Sequence, residues 1–215
     1  MTRKVRCFDI GVGRQGYEIQ WLTQAIFPAL GITSYEIHGF EAWSVAFNSA
    51  RTALAGDSRV QVHRLAIADH DGQCRLYMAH NPDGHSIYAT KDNVIDPQRQ
   101  FEDVPCVRLS TWLHANIPDL AASLNILRFN VEGAEWALFN DLDTASLLPS
   151  FHICCGNCGS DIRSVRELVS AGRVEQFQEI ARRHGIDLFW FCWDNTNDAK
   201  SKAGMTIRLQ KLLEV

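Results

Sequence analysis

The chain has 215 residues, of which 46% are hydrophobic and 21% charged, and a formal net charge of −4. That length and composition fit one folded domain over 1–215 and exclude a disordered or low-complexity chain. A mildly acidic chain has no broad attraction to nucleic acid or anionic membrane, and no apolar run approaches the roughly 20 residues of a membrane span.

The basic start, Met1 to Arg6, is followed by no apolar run, so no signal peptide is read. Val5–Phe8 is a short run of strand formers that meets an acid, Asp9. Gly11, Gly13 and Gly16 follow with the spacing G-x-G-x-x-G, and an amphipathic stretch runs from Tyr17 to Leu30. Strand, glycine turn and helix in that order give this motif its meaning. Glycines admit positive φ and close approach of a ligand, and the free N–H groups of the helix start point at the same place. A nucleotide-like cofactor over the turn is one reading; a turn that needs glycine only for its geometry is the other.

Ile32–Phe40 reads as a second strand and ends beside Glu41, 25 positions after Gly16. An acid at that distance, just past the second strand, suits the two hydroxyls of a ribose. Ala42 stands next to it. Trp43–Leu54 has helical spacing and ends at Gly56. Val60–Ala68 reads as a third strand, closed by the turn Asp69–Gly72. Its end, with Ala66, Ile67 and Asp69, is where an adenine ring would lie.

Gln73–His80 alternates as a strand. The segment from Asn81 to about Asp103 is polar and irregular, either a substrate lid or a surface excursion. His80 and His85 lie there, loop histidines of a kind that ordinarily does no chemistry. Val104–Leu109 is a short strand, and Ser110 starts a short helix. Leu124–Asn130 is a buried-type strand running into Val131-Glu132-Gly133-Ala134-Glu135, which brings a polar group and two acids to the edge of Asp9 and Glu41. Glu132 and Glu135 also suit the dipole of a helix start.

Pro149–Cys155 reads as a strand carrying His152. Cys154, Cys155 and Cys158 form one C-C-x-x-C cluster, which lacks the second pair of a zinc knuckle, so no metal is assigned. Seven scattered cysteines fit reduced thiols in a cytoplasmic protein. Ser164–His184 is a long helical pattern ended by Gly185. Ile186–Trp193 and Met205–Leu213 read as two final strands, joined without a helix and therefore antiparallel.

The expected fold is thus α/β, a mostly parallel seven-stranded sheet with a C-terminal antiparallel hairpin and helices on both faces. That hairpin separates a Rossmann-like class I methyltransferase from a dinucleotide dehydrogenase, which would continue with β-α-β units. The blocks Phe8–Gly16, His38–Ala42, Leu65–Gly72, His85–Ile87, Val104–Leu109 and Phe129–Glu135 occur in an order that resembles the FkbM family of methyltransferases, over roughly Cys7 to Leu142.

The resemblance implies transfer of a methyl group from S-adenosyl-L-methionine to an oxygen, often a sugar or natural-product hydroxyl, of a small-molecule or glycan acceptor. It also implies roles by position. Asp9, Gly11 and Gly13 match the methionine-end turn, Glu41 the ribose acid, and Ala66, Ile67 and Asp69 the adenine neighbourhood. Glu132 and Glu135 match the acids beside the transfer site. Asn130 stands where the family has an aspartate, Gly13 stands where it has an asparagine, and Cys155-Gly156-Asn157 replaces a carboxylate and histidine. The expected site places an acceptor hydroxyl near Glu132, Asn130 and His152, with Glu132 or a histidine taking the proton. His152 reads equally as a satisfied strand histidine. A non-catalytic S-adenosylmethionine-binding protein and a nicotinamide-dependent oxidoreductase are the alternatives. No nucleic-acid partner is expected, and a homo-oligomer is compatible with the sequence.

Overall fold

A computed structural model describes residues 3–157, 159–193 and 198–214. Its centre is a parallel sheet of six strands. These strands are β1 (Val5–Ile10), β2 (Tyr35–Phe40), β3 (Val60–His63), β7 (Leu124–Phe129), β8 (Ile153–Gly156) and β9 (Phe189–Trp190). Their order across the sheet is β3-β2-β1-β7-β8-β9. The first strand is central and the order reverses on either side of it, the doubly wound Rossmann-like arrangement.

Alternation along the strands feeds two cores. Phe8, Ile10, Leu127 and Phe129 face one side. There they meet α4 (Leu109–Asn116), α5 (Glu135–Thr144), α6 (Arg166–Ser170) and α7 (Arg173–Arg183). Val5, Cys7, Ile37 and Ile126 face the other side, against α1 (Tyr17–Trp21), α2 (Phe27–Ala29), α3 (Ser44–Ala53) and α8 (Asp198–Leu213). Both faces are buried, which is why four of the six residues of β1 and of β7 are apolar and the polar ones are held by partners. Between α1 and α2 lies a π-turn, Leu22–Ile26. Its wider winding keeps Leu22, Ile26 and Phe27 all on the buried side.

Three elements differ from the sequence expectation. Met205–Leu213 is helical, so neither the antiparallel hairpin nor a seventh strand of this sheet is present among the described residues. Ser201, Met205 and Leu209 recur every fourth residue as the buried stripe of α8, and that period is helical. The expected strand Val60–Ala68 is divided. β3 joins the main sheet, while β4 (Ala66–Ile67) pairs in a second sheet with β6 (Phe101–Val107), which in turn pairs with β5 (Gly72–Tyr77). The expected helix Ser164–His184 is interrupted between α6 and α7, where Gly172 has φ +67°.

Cys154 and Cys155 are neighbours on β8 and therefore enter opposite cores, so a common metal cannot hold both. Cys158 lies outside the described residues. No described helix is long and apolar enough to cross a membrane.

Candidate functional site

A cavity of about 540 Å³ opens at the carboxyl ends of β1, β2 and β7. This is the edge where ligands of doubly wound sheets bind, and the volume suits a nucleoside-sized molecule. One wall is the turn from Gly11 to Gly16. Gly11 has φ +85°, and a Cβ there would lie 2.0 Å from the carbonyl oxygen of Asn130, so only glycine fits. Gly13 has φ +68°, and a Cβ there would meet nothing within 4 Å, so its backbone is open to an approaching ligand.

Glu41 stands over this turn. Its Oε2 accepts the Gly13 N–H at 2.8 Å and its Oε1 accepts the Trp43 N–H at 2.9 Å. Burial pushes its carboxyl up while these two N–H groups pull it down. Two fixed donors aim the carboxylate and leave each oxygen a further lone pair for another donor. Ala42 lies beside it in the same wall, and Ala66 and Ile67 of β4 form the apolar end. Opposite the turn, Asn130, Val131 and Glu132 follow β7. The Asn130 Oδ1 is buried and has no hydrogen-bond partner among the described residues.

Glu132 adopts φ 52°, a left-handed backbone that a side chain makes costly, by about 1–3 kcal/mol. Its Oε2 receives the Lys91 ammonium at 2.7 Å, and Lys91 is itself buried. Burial, then Asp161, raises the Glu132 carboxyl, and Lys91 opposes them. Glu135 is not part of the cavity lining. It is wholly buried at the start of α5, and neither of its oxygens makes a hydrogen bond to a described residue. Burial, then Asp161, pushes it up to about 8, so it is a neutral acid at pH 7.

Besides Glu135, three expected site residues lie outside the cavity lining: Asp69, exposed in the turn before β5 with its Oδ1 on the His70 Nδ1 at 2.8 Å, Asp9 and His152. Asp9 is 1% exposed and sits behind the turn, on the α1 face of the sheet, outside the cavity lining. Its Oδ1 pairs with Arg128 at 2.9 Å, so it braces the turn instead of meeting a ligand. Burial pushes the Asp9 carboxyl up, and Arg128 pulls it down. His152 immediately precedes β8, at the amino edge of a parallel sheet whose carboxyl edge carries the cavity. Its Nδ1 accepts the N–H of Asn125 at 3.2 Å. It takes no part in this cavity, because the length of the strand separates them.

The sequence reading missed Arg128 as the centre of a network. Its Nε–H donates to the Phe191 carbonyl at 3.4 Å. Nη1 donates to Asp9 and to the Gly11 carbonyl at 2.6 Å, and Nη2 to Glu18 at 2.5 Å and to the Cys192 Sγ at 3.6 Å. All five donors are thus used, tying β1, the turn, α1 and the segment after β9 to one side chain. The visible signal was a lone cation inside an apolar strand, which has to find carboxylates when buried. Lys91 gave no such signal, because it sits in the polar segment between β5 and β6. That segment, with Asn81, Pro82, Asp83, His85 and Ile87, forms the outer wall of the cavity. Arg14 faces Asp83 across the mouth at 3.8 Å and lies over the Trp43 ring.

No family model and no curated protein matches the chain. Among solved structures, a glucose-6-phosphate 1-dehydrogenase from Mycobacterium avium is similar at 12% identity and a TM-score of 0.39. The match covers 82% of this chain and 34% of that one, so the chain spans about a third of the length of that protein.

Proposed function

We propose that the chain is an S-adenosyl-L-methionine-dependent methyltransferase that methylates a hydroxyl of a small molecule or glycan. The observation that carries this reading is the charge of the cavity. Glu41, Asp83 and Glu132 line it, while its cations are already engaged, Arg14 by Asp83 and Arg128 by five acceptors. Gly13, whose N–H would serve a phosphate on the turn, donates to Glu41 instead. Such a lining suits a nucleoside that bears cations and disfavours a diphosphate. The expected hairpin no longer argues against a nicotinamide dinucleotide, since this strand order serves both cofactors; the charge does. The resemblance of the Asp9–Gly16 and Phe129–Glu135 blocks to the FkbM family adds to the reading.

S-adenosylmethionine would be held by the turn at Gly11 and Gly13, by Glu41 at the ribose, and by Ala42, Ala66 and Ile67 at the adenine. When bound it supplies an electrophilic methyl group, so the protein's task is to place an acceptor and remove its proton. Glu132 takes that proton on Oε1, its Oε2 being fixed on Lys91. Asn130 is no base, but its unpartnered Oδ1 accepts a hydrogen bond that orients the acceptor or the cofactor. A second reading, a binding protein without turnover, is favoured by Asn130 and Cys155-Gly156-Asn157 standing where the family has acid and base.

Calorimetric titration with S-adenosylmethionine, S-adenosylhomocysteine and NADH tests the cofactor. The first two should bind in the micromolar range and NADH should not. Glu41→Ala should weaken binding about 10- to 100-fold, the worth of a charge-assisted hydrogen-bond pair. Binding of NADH alone would overturn the proposal. S-adenosylhomocysteine binding without turnover on any hydroxyl acceptor would favour the second reading.

A further inference from the structure

We propose that Ser86 and Lys91, on the connection between β5 and β6, are positioning residues that fix the aim of Glu132 and favour its charged form, so that this carboxylate is held as a proton acceptor while the connection is seated on it. The inference rests on the reading of Glu132 as the group that takes the acceptor's proton.

Two contacts from one connection converge on one residue. The Ser86 hydroxyl, buried, donates to the Glu132 carbonyl at 2.7 Å and accepts the Tyr88 N–H at 3.1 Å. That bond fixes the peptide of a residue whose left-handed backbone has to be held from outside. The Lys91 ammonium has three hydrogens and three acceptors: Glu132 Oε2 at 2.7 Å, Asn93 Oδ1 at 3.0 Å and the Gly84 carbonyl at 3.3 Å. Two of the three belong to the connection. The connection therefore assembles the cation and presents it to Glu132.

The other titratable groups facing Glu132 are carboxyls. Asp83 comes from the same connection, Asp161 from the turn before α6, and Glu135 from the start of α5. In that company, and largely buried, a carboxyl without a cation keeps its proton and cannot accept another. Lys91 opposes that balance from a distance of 2.7 Å. With Oε2 on Lys91, Oε1 is the oxygen left to meet a donor in the cavity. If the connection lifts, the ammonium and the Ser86 hydroxyl leave with it, and Glu132 loses the contacts that fix its side chain and its peptide.

The test needs neither acceptor nor cofactor. The side-chain carboxyl carbon of Glu132, assigned by its loss in Glu132→Gln, is titrated by carbon-13 NMR in the wild type, Lys91→Gln and Lys91→Arg. The midpoint should rise by about 1–3 pH units in Lys91→Gln and return toward the wild-type value in Lys91→Arg. In the wild type the Lys91 ammonium nitrogen should exchange its hydrogens slowly and respond to the Glu132 titration. Ser86→Ala should move the Glu132 midpoint upward by less. A midpoint unmoved in Lys91→Gln would overturn the inference. So would a Lys91 ammonium that exchanges at the rate of a solvated lysine, a result open even if Lys91→Gln fails to fold. Failure of S-adenosylhomocysteine to bind the wild type would instead remove the cofactor reading and leave the titration result standing.

Discussion

Behind the glycine turn, Arg128 joins Asp9, Glu18 and three further acceptors, and of the atoms in that cluster one carboxylate oxygen, Asp9 Oδ2, is left over. In front of the turn, at the same sheet edge, Asn130 Oδ1 and both oxygens of Glu135 have no partner among the described residues, and one oxygen of Glu132 is held only by Lys91. Both clusters are buried ion networks, yet one is nearly saturated and the other is not. The saturated one joins elements of the main sheet to each other and works as a scaffold. The unsaturated one joins the main sheet to a connection and keeps polar capacity in reserve beside a cavity. A buried polar atom without a partner costs free energy, so a cluster of them points to a function that needs them.

The difference can be broken most severely at Arg128. Arg128→Met leaves two buried carboxylates and the Gly11 carbonyl unpaired, and should cost about 3–5 kcal/mol in denaturant unfolding. A loss below about 1 kcal/mol would deny Arg128 its role as scaffold. Arg128→Lys should recover only part of that loss, because an ammonium has three donors where the fork has five.

Glu135 sharpens the comparison through pH. Its folded value, about 8, lies above the usual 4.5. Its contribution to stability is thus complete below about pH 4.5 and is lost as pH rises toward 8. Glu135→Gln, which stays neutral, should match the wild type near pH 4 and exceed it near pH 8 by a few kcal/mol. The wild type loses about 1.4 kcal/mol for each pH unit climbed between those two values. Unfolding curves at the two pH values give the answer, and parallel loss of stability in both proteins would show that Glu135 ionises freely.

The smallest effect is expected at His152, which is exposed at the far edge. His152→Ala should cost about 1 kcal/mol, the worth of its bond to Asn125, and leave S-adenosylhomocysteine affinity unchanged. A tenfold weaker affinity would place the binding site at the wrong edge.

The sequence was most legible where local pattern and tertiary role agree. Val5, Cys7, Phe8 and Ile10 are apolar because both faces of β1 are covered, its two charged residues, Arg6 and Asp9, being ion-paired, and its glycine turn has the φ values that the glycines permit. Glu41 fell at the cavity because its distance from the turn is set by one helix and one strand. Three things were not legible. Met205–Leu213 has alternating stretches that fit a strand, and only the fourth-residue recurrence of Ser201, Met205 and Leu209 shows the helix. The expected strand Pro149–Cys155 carries His152 within it. The strand begins at Ile153, which leaves the histidine at the strand's start. Lys91 and Glu132 are 41 positions apart, and no local rule pairs them.

The division of the third strand has a mechanical consequence. β4 brings Ala66 and Ile67 to one end of the cavity, and it pairs with β6. β6 pairs with β5, and the connection from β5 to β6 carries Ser86 and Lys91 to the other end. Tyr77 and Ser86 exchange both backbone bonds, at 2.7 and 3.1 Å, and His80 bonds to Asn93 at 3.0 Å, so the connection is an extension of this small sheet. One body thus carries the wall against which a base would lie and the clamp on the carboxylate at the opposite end. Any coupling of affinities between the two ends through this body is equal and reciprocal.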